Sequence, residues 1–244
     1  MISKNEIKYI QSLYHKKNRD AENVFIAEGP KLINDLLQTN SKFRKIYATE
    51  NNLFSQYNNQ CPIEEINSIQ LERISQMQTP NQALAIIEKK AIHQMPDFSG
   101  KITLALDGIQ DPGNMGTIIR SADWFGIDQI IATEDTVDQY NPKVVQASMG
   151  SIARVNVWYG DLNTILNNAR VPIYGAMMQG ENLYQQKRIK EAVLIIGNEG
   201  KGIREELITK IQFPLTIPAF GGAESLNASV AAGIILSHLR MNTG

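Results

Sequence analysis

An α/β protein of two domains is predicted, its carboxyl-terminal part built on a mostly parallel sheet with helices on both faces. Two observations lead there. From Ile102 onward, short segments that are apolar at nearly every position alternate with helix-like stretches, the pattern of parallel strands buried on both sides. Between Glu88 and Lys101, EKKAIHQMPDFSGK loses periodicity and gathers polar residues around Pro96 and Gly100, which reads as a linker. At 244 residues the chain can bury a core in each half, and the expected domains are 1–95 and 96–244.

Taken in order, the first half predicts a helix from about Lys4 to Lys16, a strand in VFIAEG, and a helix after Pro30. A strand in RKIYAT follows, then strands near Pro62 to Ile66 and Ala83 to Ile87, making a small α/β domain. The second half reads ITLALD, a helix over 116–125, DQIIAT, a helix opened by Asn141 and Pro142, RVNVWY, and a helix over 161–169. It closes with VPIYGAM, AVLIIG, a helix over 203–211, PLTIP, and a helix over 226–240. Ligands of such sheets sit in the crevice at the carboxyl ends of the strands.

Composition narrows the class. Residues are 43% apolar and 20% charged, no apolar run reaches the ~20 residues of a membrane span, and the start MISKNEIKYIQ lacks a secretory apolar segment. A cytoplasmic protein without membrane is expected. The single Cys61 excludes an internal disulfide, and His15, His93 and His238 show no metal-ligand spacing, so no metal is expected. A net charge of −1 argues against chain-wide affinity for nucleic acid. The first 50 residues nevertheless carry nine Lys or Arg against six Asp or Glu, densest in HKKNRD (15–20), open to reading as a solvated helix end or a phosphate contact.

Three loops depart from ordinary connections. In LDGIQDPGNMGTIIRSADWFG (106–126) a strand ends at Asp107, Pro112 and Gly113 turn the chain, Asn114 is placed to cap, and Arg120 lies within the helix. Position alone makes Arg120 a surface residue. AVLIIGNEGKGI (192–203) runs a strand into Gly-Asn-Glu-Gly-Lys-Gly, which lets backbone approach a ligand; it is neither the phosphate loop of ATPases nor G-x-G-x-x-G. Glu199 is an acid in that turn. In IPAFGGAESLNASVAAGIIL (217–236), Ser225 and Asn227 are helix-capping types, and Ala228, Ala231, Ala232 and Gly233 suit close approach of another backbone.

In this order, over roughly 102–240, the loops resemble the three signature motifs of the SpoU, or TrmH-like, branch of the SPOUT RNA methyltransferases. NVFIAEGPKLI similarly resembles the L30e-like substrate-binding domain carried by many members. The resemblance implies a deep trefoil knot at the last strand, loop and helix, a homodimer, and S-adenosylmethionine as cofactor. It implies cofactor contacts at Gly175, Ala176, Met177, Gly197, Asn198, Gly202, Ile217, Pro218, Ala219 and Leu226. The catalytic set it implies is Asn114, Arg120, Glu199, Ser225 and Asn227. A guanidinium, with a pKa above ~12, keeps its proton. Arg120 is thus expected to orient the target nucleotide and stabilise a developing alkoxide, with the general base left open. The implied activity is ribose 2'-O-methylation of RNA, ribosomal RNA favoured over transfer RNA. The alternatives are a transfer RNA enzyme, a catalytically silent RNA-binding or ribosome-assembly protein, and an unrelated α/β enzyme. Ala219, Phe220 and Ala228 depart from the family's commoner residues, at places expected to contact through backbone or packing.

Overall fold

The computed structural model describes residues 2–92 and 94–241; His93, one of the three histidines weighed above, lies outside them. The chain divides into two compact units, one running to Ala91 and including Asp138–Ala153, the other comprising Ile92–Val137 and the chain from Arg154.

The first unit holds helices α1 (Lys4–Ser12), α2 (Lys16–Glu22), α3 (Pro30–Leu37) and α4 (Ser68–Ile74) and strands β1 (Val24–Glu28), β2 (Phe43–Ala48), β3 (Ile63–Glu65) and β4 (Ala83–Glu88). The sheet order is β1-β4-β2-β3, antiparallel except for the β2–β3 pair. One helix was expected where α1 and α2 stand. The Arg19 side chain explains the break: buried to 2% exposure, it donates from Nη1 to the carbonyls of Leu13 (3.1 Å) and Tyr14 (2.8 Å) just past α1, carbonyls that α1 leaves unpaired. HKKNRD is therefore not a fully solvated end, since Arg19 is buried. Lys16 pairs with Asp20 at 3.1 Å, and Arg19 Nη2 pairs with Asp138 at 2.7 Å.

Segment 138–153 belongs to this unit's core. It contains α6 (Pro142–Ser148), capped by Asn141 as its sequence predicts, and a 3₁₀ turn. Tyr140 stacks on Phe25 with ring centroids 5.0 Å apart, while Val145 and Ile152 join the cluster of Leu32, Ile33 and Leu36.

The second unit carries a parallel sheet of six strands, β5 (Ile102–Asp107), β6 (Gln129–Ala132), β7 (Asn156–Tyr159), β8 (Ile173–Asn182), β9 (Ala192–Gly197) and β10 (Phe213–Thr216), in the order β10-β8-β9-β5-β6-β7. Its helices are α5 (Pro112–Trp124), α7 (Leu162–Asn167), α8 (Glu205–Ile208) and α9 (Ala228–Met241). Strand order reverses between β5 and β9, which opens a crevice at their carboxyl ends. β8 is longer than expected and runs out of register beside β10: Gly175 faces Pro214, but Glu181 faces Leu215, so residues 176–180 bulge. α5 begins four residues earlier than expected because Asp111 caps it and Pro112 takes the first helical position. α8 is a single turn rather than the helix expected over 203–211. No helix among the described residues is long and apolar enough to cross a membrane.

Candidate active site

The three unusual loops follow β5, β9 and β10, all at the carboxyl end of the parallel sheet. Asn114 joins them. It does not cap α5, as its sequence context suggests; Asp111 Oδ1 accepts its backbone N–H at 2.8 Å, which frees its side chain. That side chain, buried in the first turn of α5, donates from Nδ2 to Glu199 Oε1. Its Oδ1 accepts from Asn227 Nδ2 at 2.8 Å. Asn227 in turn caps α9, its Oδ1 accepting from Ser229 N (2.9 Å), Ser229 Oγ (2.6 Å) and Val230 N (3.3 Å). One amide therefore ties the β9 loop to the start of α9, its donor and acceptor roles both in use. Glu199 is bound to Asn114 across the site.

The other two candidates stand apart. Six residues along an α-helix rotate a side chain by about 240° from Asn114, and Arg120 is exposed on α5 beside Thr117 and Trp124. Ser225 is exposed and makes no hydrogen bond to the cluster among the described residues.

The β9 loop is a closed turn. Asn198 and Gly202 exchange backbone hydrogen bonds of 3.1 and 2.9 Å, and a Cβ on Gly197 would stand 2.4 Å from the Gly202 carbonyl carbon. Gly202, at φ +69°, occupies the left-handed region that favours glycine. Asn198 Oδ1 accepts from Gly200 N (2.9 Å) and Lys201 N (3.1 Å), while its Nδ2 donates to Gly108 O at 2.8 Å. Among the other cofactor candidates, Ala176 and Met177 lie in the β8 bulge, and Thr216 Oγ1 donates to Met177 O at 3.0 Å, holding that bulge to the end of β10. Ile217, Pro218, Ala219 and Leu226 lie on the irregular segment between β10 and α9. Gly175 sits in β8 itself, where a Cβ would stand 2.3 Å from Ile211 Cδ1. Its lack of a side chain admits Ile211.

Sequence reasoning missed one cluster. Asp107, 1% exposed at the end of β5, accepts from Arg204 N at 2.8 Å and pairs with Arg204 Nε at 3.0 Å. Arg204 Nη2 also reaches Asp135 Oδ2 at 2.5 Å. This hydrogen bond holds the Asp135 carboxyl below its ordinary pKa and raises that of Arg204. Arg204 thus fastens the end of the β9 loop to β5 and to the segment after β6. An acid closing an apolar strand was the available signal; its partner 97 residues on was not.

Residues 101–237 match the model of the SpoU rRNA Methylase family, and residues 4–85 match that of the MRM3-like substrate binding domain. The Bacillus subtilis 23S rRNA (guanosine(2553)-2'-O)-methyltransferase RlmP is 31% identical over 243 residues, 96% of each chain. Among solved structures, a protein assigned to the TrmH family of RNA methyltransferases from Porphyromonas gingivalis superposes with a TM-score of 0.88 at 37% identity, covering 100% of both chains. The AdoMet-bound rRNA methyltransferase from Sinorhizobium meliloti does so at 0.86 and 29%, covering 100% of this chain and 98% of that one. The loops that Asn114 joins lie inside the matched span, and the chain belongs to the SpoU rRNA methylase family.

Proposed function

We propose that the protein transfers a methyl group from S-adenosylmethionine to a ribose 2'-hydroxyl of RNA, ribosomal RNA before transfer RNA. The observation that carries this reading is the hydrogen-bonded series Asn227, Asn114, Glu199, which unites three loops at the switch point of the sheet. Ribosomal RNA is favoured because the full-length relative RlmP is named for it and because a substrate-binding domain precedes the methylase span. The cytoplasm, where such RNA is found, is the location that follows.

The residues present fit the cofactor. The turn at Gly197–Gly202 leaves open space beside Gly202, where nothing lies within 4 Å of a Cβ position, and the Met177 and Ile217 segments are drawn together through Thr216. The implied knot has its support in the placement of α9, which packs on β9 and on Leu183–Gln185, with Ile189 N donating to Leu239 O at 3.2 Å. When bound, the cofactor supplies an activated methyl group. The chain has to align the ribose and bear the charge that develops as its proton leaves. In this reading Asn114 fixes Glu199 against the start of α9, and Arg120, which stands apart from that series on α5, serves the site of a second protomer, where it holds the nucleotide through its phosphate and stabilises the alkoxide.

Labelled S-adenosylmethionine offered to separated ribosomal and transfer RNA transcripts tests the reading. Alkali-resistant label on ribosomal RNA is expected; cofactor binding without label on either RNA would sink it. Arg204→Ala is expected to weaken cofactor binding about tenfold, equivalent to ~1.4 kcal/mol, because it releases the β9 loop, and calorimetry reads this directly. Arg204→Lys, which keeps one contact, should fall between.

We further propose a homodimer joined through α5 and α9. Trp124 is 83% exposed on α5, and α9, which packs against α5, exposes Val230. Burying an exposed tryptophan of this size against a second copy would stabilise the pair. Trp124→Glu is expected to shift the sedimenting species from dimer to monomer; an unchanged coefficient would place the interface elsewhere.

A further inference from the structure

Phe220 exposes 97% of its surface, although it sits in the third motif, where packing or backbone contact was expected. Its ring packs against almost nothing. Full burial of a side chain this size is worth about 1.5–3 kcal/mol, and here that gain is forgone. The following residues, Gly221 and Gly222, have no atom within 4 Å of where a Cβ would stand, so the chain beside the ring also lies in open space. Yet the segment is tethered at both ends. Thr216 is hydrogen-bonded to Met177, and Asn227 is bonded to Asn114. An aromatic ring is thus held on a short glycine-containing arch between two fixed points of the candidate active site.

Sequence-specific RNA recognition targets single-stranded loops and bulges, whose splayed nucleotides leave the faces of bases uncovered. Proteins that bind splayed RNA re-cover such faces with aromatic side chains. We propose that Phe220 is a stacking platform for a base of the RNA substrate at or next to the methylated nucleotide. The inference rests on the RNA-methyltransferase reading above. Stacking accepts any base, because every base has a π-face, so Phe220 contributes affinity and placement rather than base identity. The adenine of the cofactor is the less suitable occupant, since its candidate contacts come from neighbouring main chain while this ring stands out in solvent. A second copy of the chain has another exposed aromatic to cover, Trp124 on α5.

The test uses the full-length protein and a protein-free 23S rRNA transcript, with steady-state methyl transfer measured for wild type, Phe220→Ala, Phe220→Leu and Phe220→Trp. Phe220→Ala is expected to raise KM for RNA about tenfold, near the ~1–3 kcal/mol that one stacked base contributes. Cofactor affinity by calorimetry and the sedimentation coefficient should not change. Phe220→Trp should hold KM within about twofold of wild type, and Phe220→Leu, apolar without a π-face, should behave like alanine. An unchanged KM in Phe220→Ala overturns the inference, as does rescue by leucine. Weaker cofactor binding would assign the ring to the adenine, and dissociation would assign it to a second copy; either result overturns it too. A wild type that transfers no methyl to any RNA overturns the functional reading itself, a distinct result from an active wild type indifferent to Phe220.

Discussion

Arg120→Ala is expected to slow methyl transfer by about 10²–10³-fold, the loss found when one preorganised charge-stabilising donor is removed from a transition state, while S-adenosylmethionine affinity stays unchanged. Arg120 is exposed on α5 and makes no hydrogen bond or ion pair among the described residues, so its truncation leaves no buried partner behind. A surface substitution of this kind changes stability by only about 0.5 kcal/mol, so lost activity cannot be assigned to unfolding. Its freedom is what a residue that meets substrate requires: no protein acid competes for the guanidinium. Arg120→Lys keeps the charge but loses the planar fork, and should recover part of the rate without matching wild type. Single-turnover kinetics with saturating cofactor, alongside a thermal melt, makes the measurement. Turnover within tenfold of wild type would remove Arg120 from the chemistry and leave Glu199 as the charged residue of the set.

Much of the second unit was legible in the sequence. Segments such as Ile102–Asp107 and Ala192–Gly197 are apolar because both faces of their sheet are covered, so composition alone marks them. The start of α5 was less legible because two residues compete for its cap. Asn114 and Asp111 both suit the role, and the choice depends on Pro112 already having helical φ. That choice decides function, since the Asn114 side chain is available to Glu199 and Asn227 only because Asp111 serves the cap. Arg204 stayed hidden for a different reason. Its partner Asp107 lies 97 residues away, and no local pattern encodes such a pair. Phe220 was visible as a departure from its family, but only the structure shows that the ring is bare.

Asp138→Ala is expected to destabilise the first unit by about 3–5 kcal/mol, the cost of leaving one charge of a buried pair uncompensated. Arg19 cannot turn to solvent: at 2% exposure it is held by two carbonyls at the end of α1, and its Nε has no hydrogen-bond partner among the described residues. Asp138 also accepts from Tyr140 N at 3.1 Å, so its removal loosens the residue whose ring lies on Phe25. The double replacement Arg19→Met with Asp138→Leu should cost less than Asp138→Ala alone, because it removes both charges together. Hydrogen exchange can assign the loss to one unit, by comparing amides of β1 and β4 with those of β5 and β9; the two tryptophans cannot, since Trp124 and Trp158 both lie in the other unit. Protection lost equally in both sheets would mean that the chain unfolds as one body. The same geometry bears on the expected boundary at 95. A chain cut there would lack Asp138, Tyr140, Val145 and Ile152, leaving Arg19 unpaired and Phe25, Leu32 and Ile33 without part of their cover. The amino-terminal unit completes its core with residues from the connection between β6 and β7, so a fragment meant to fold needs that segment supplied.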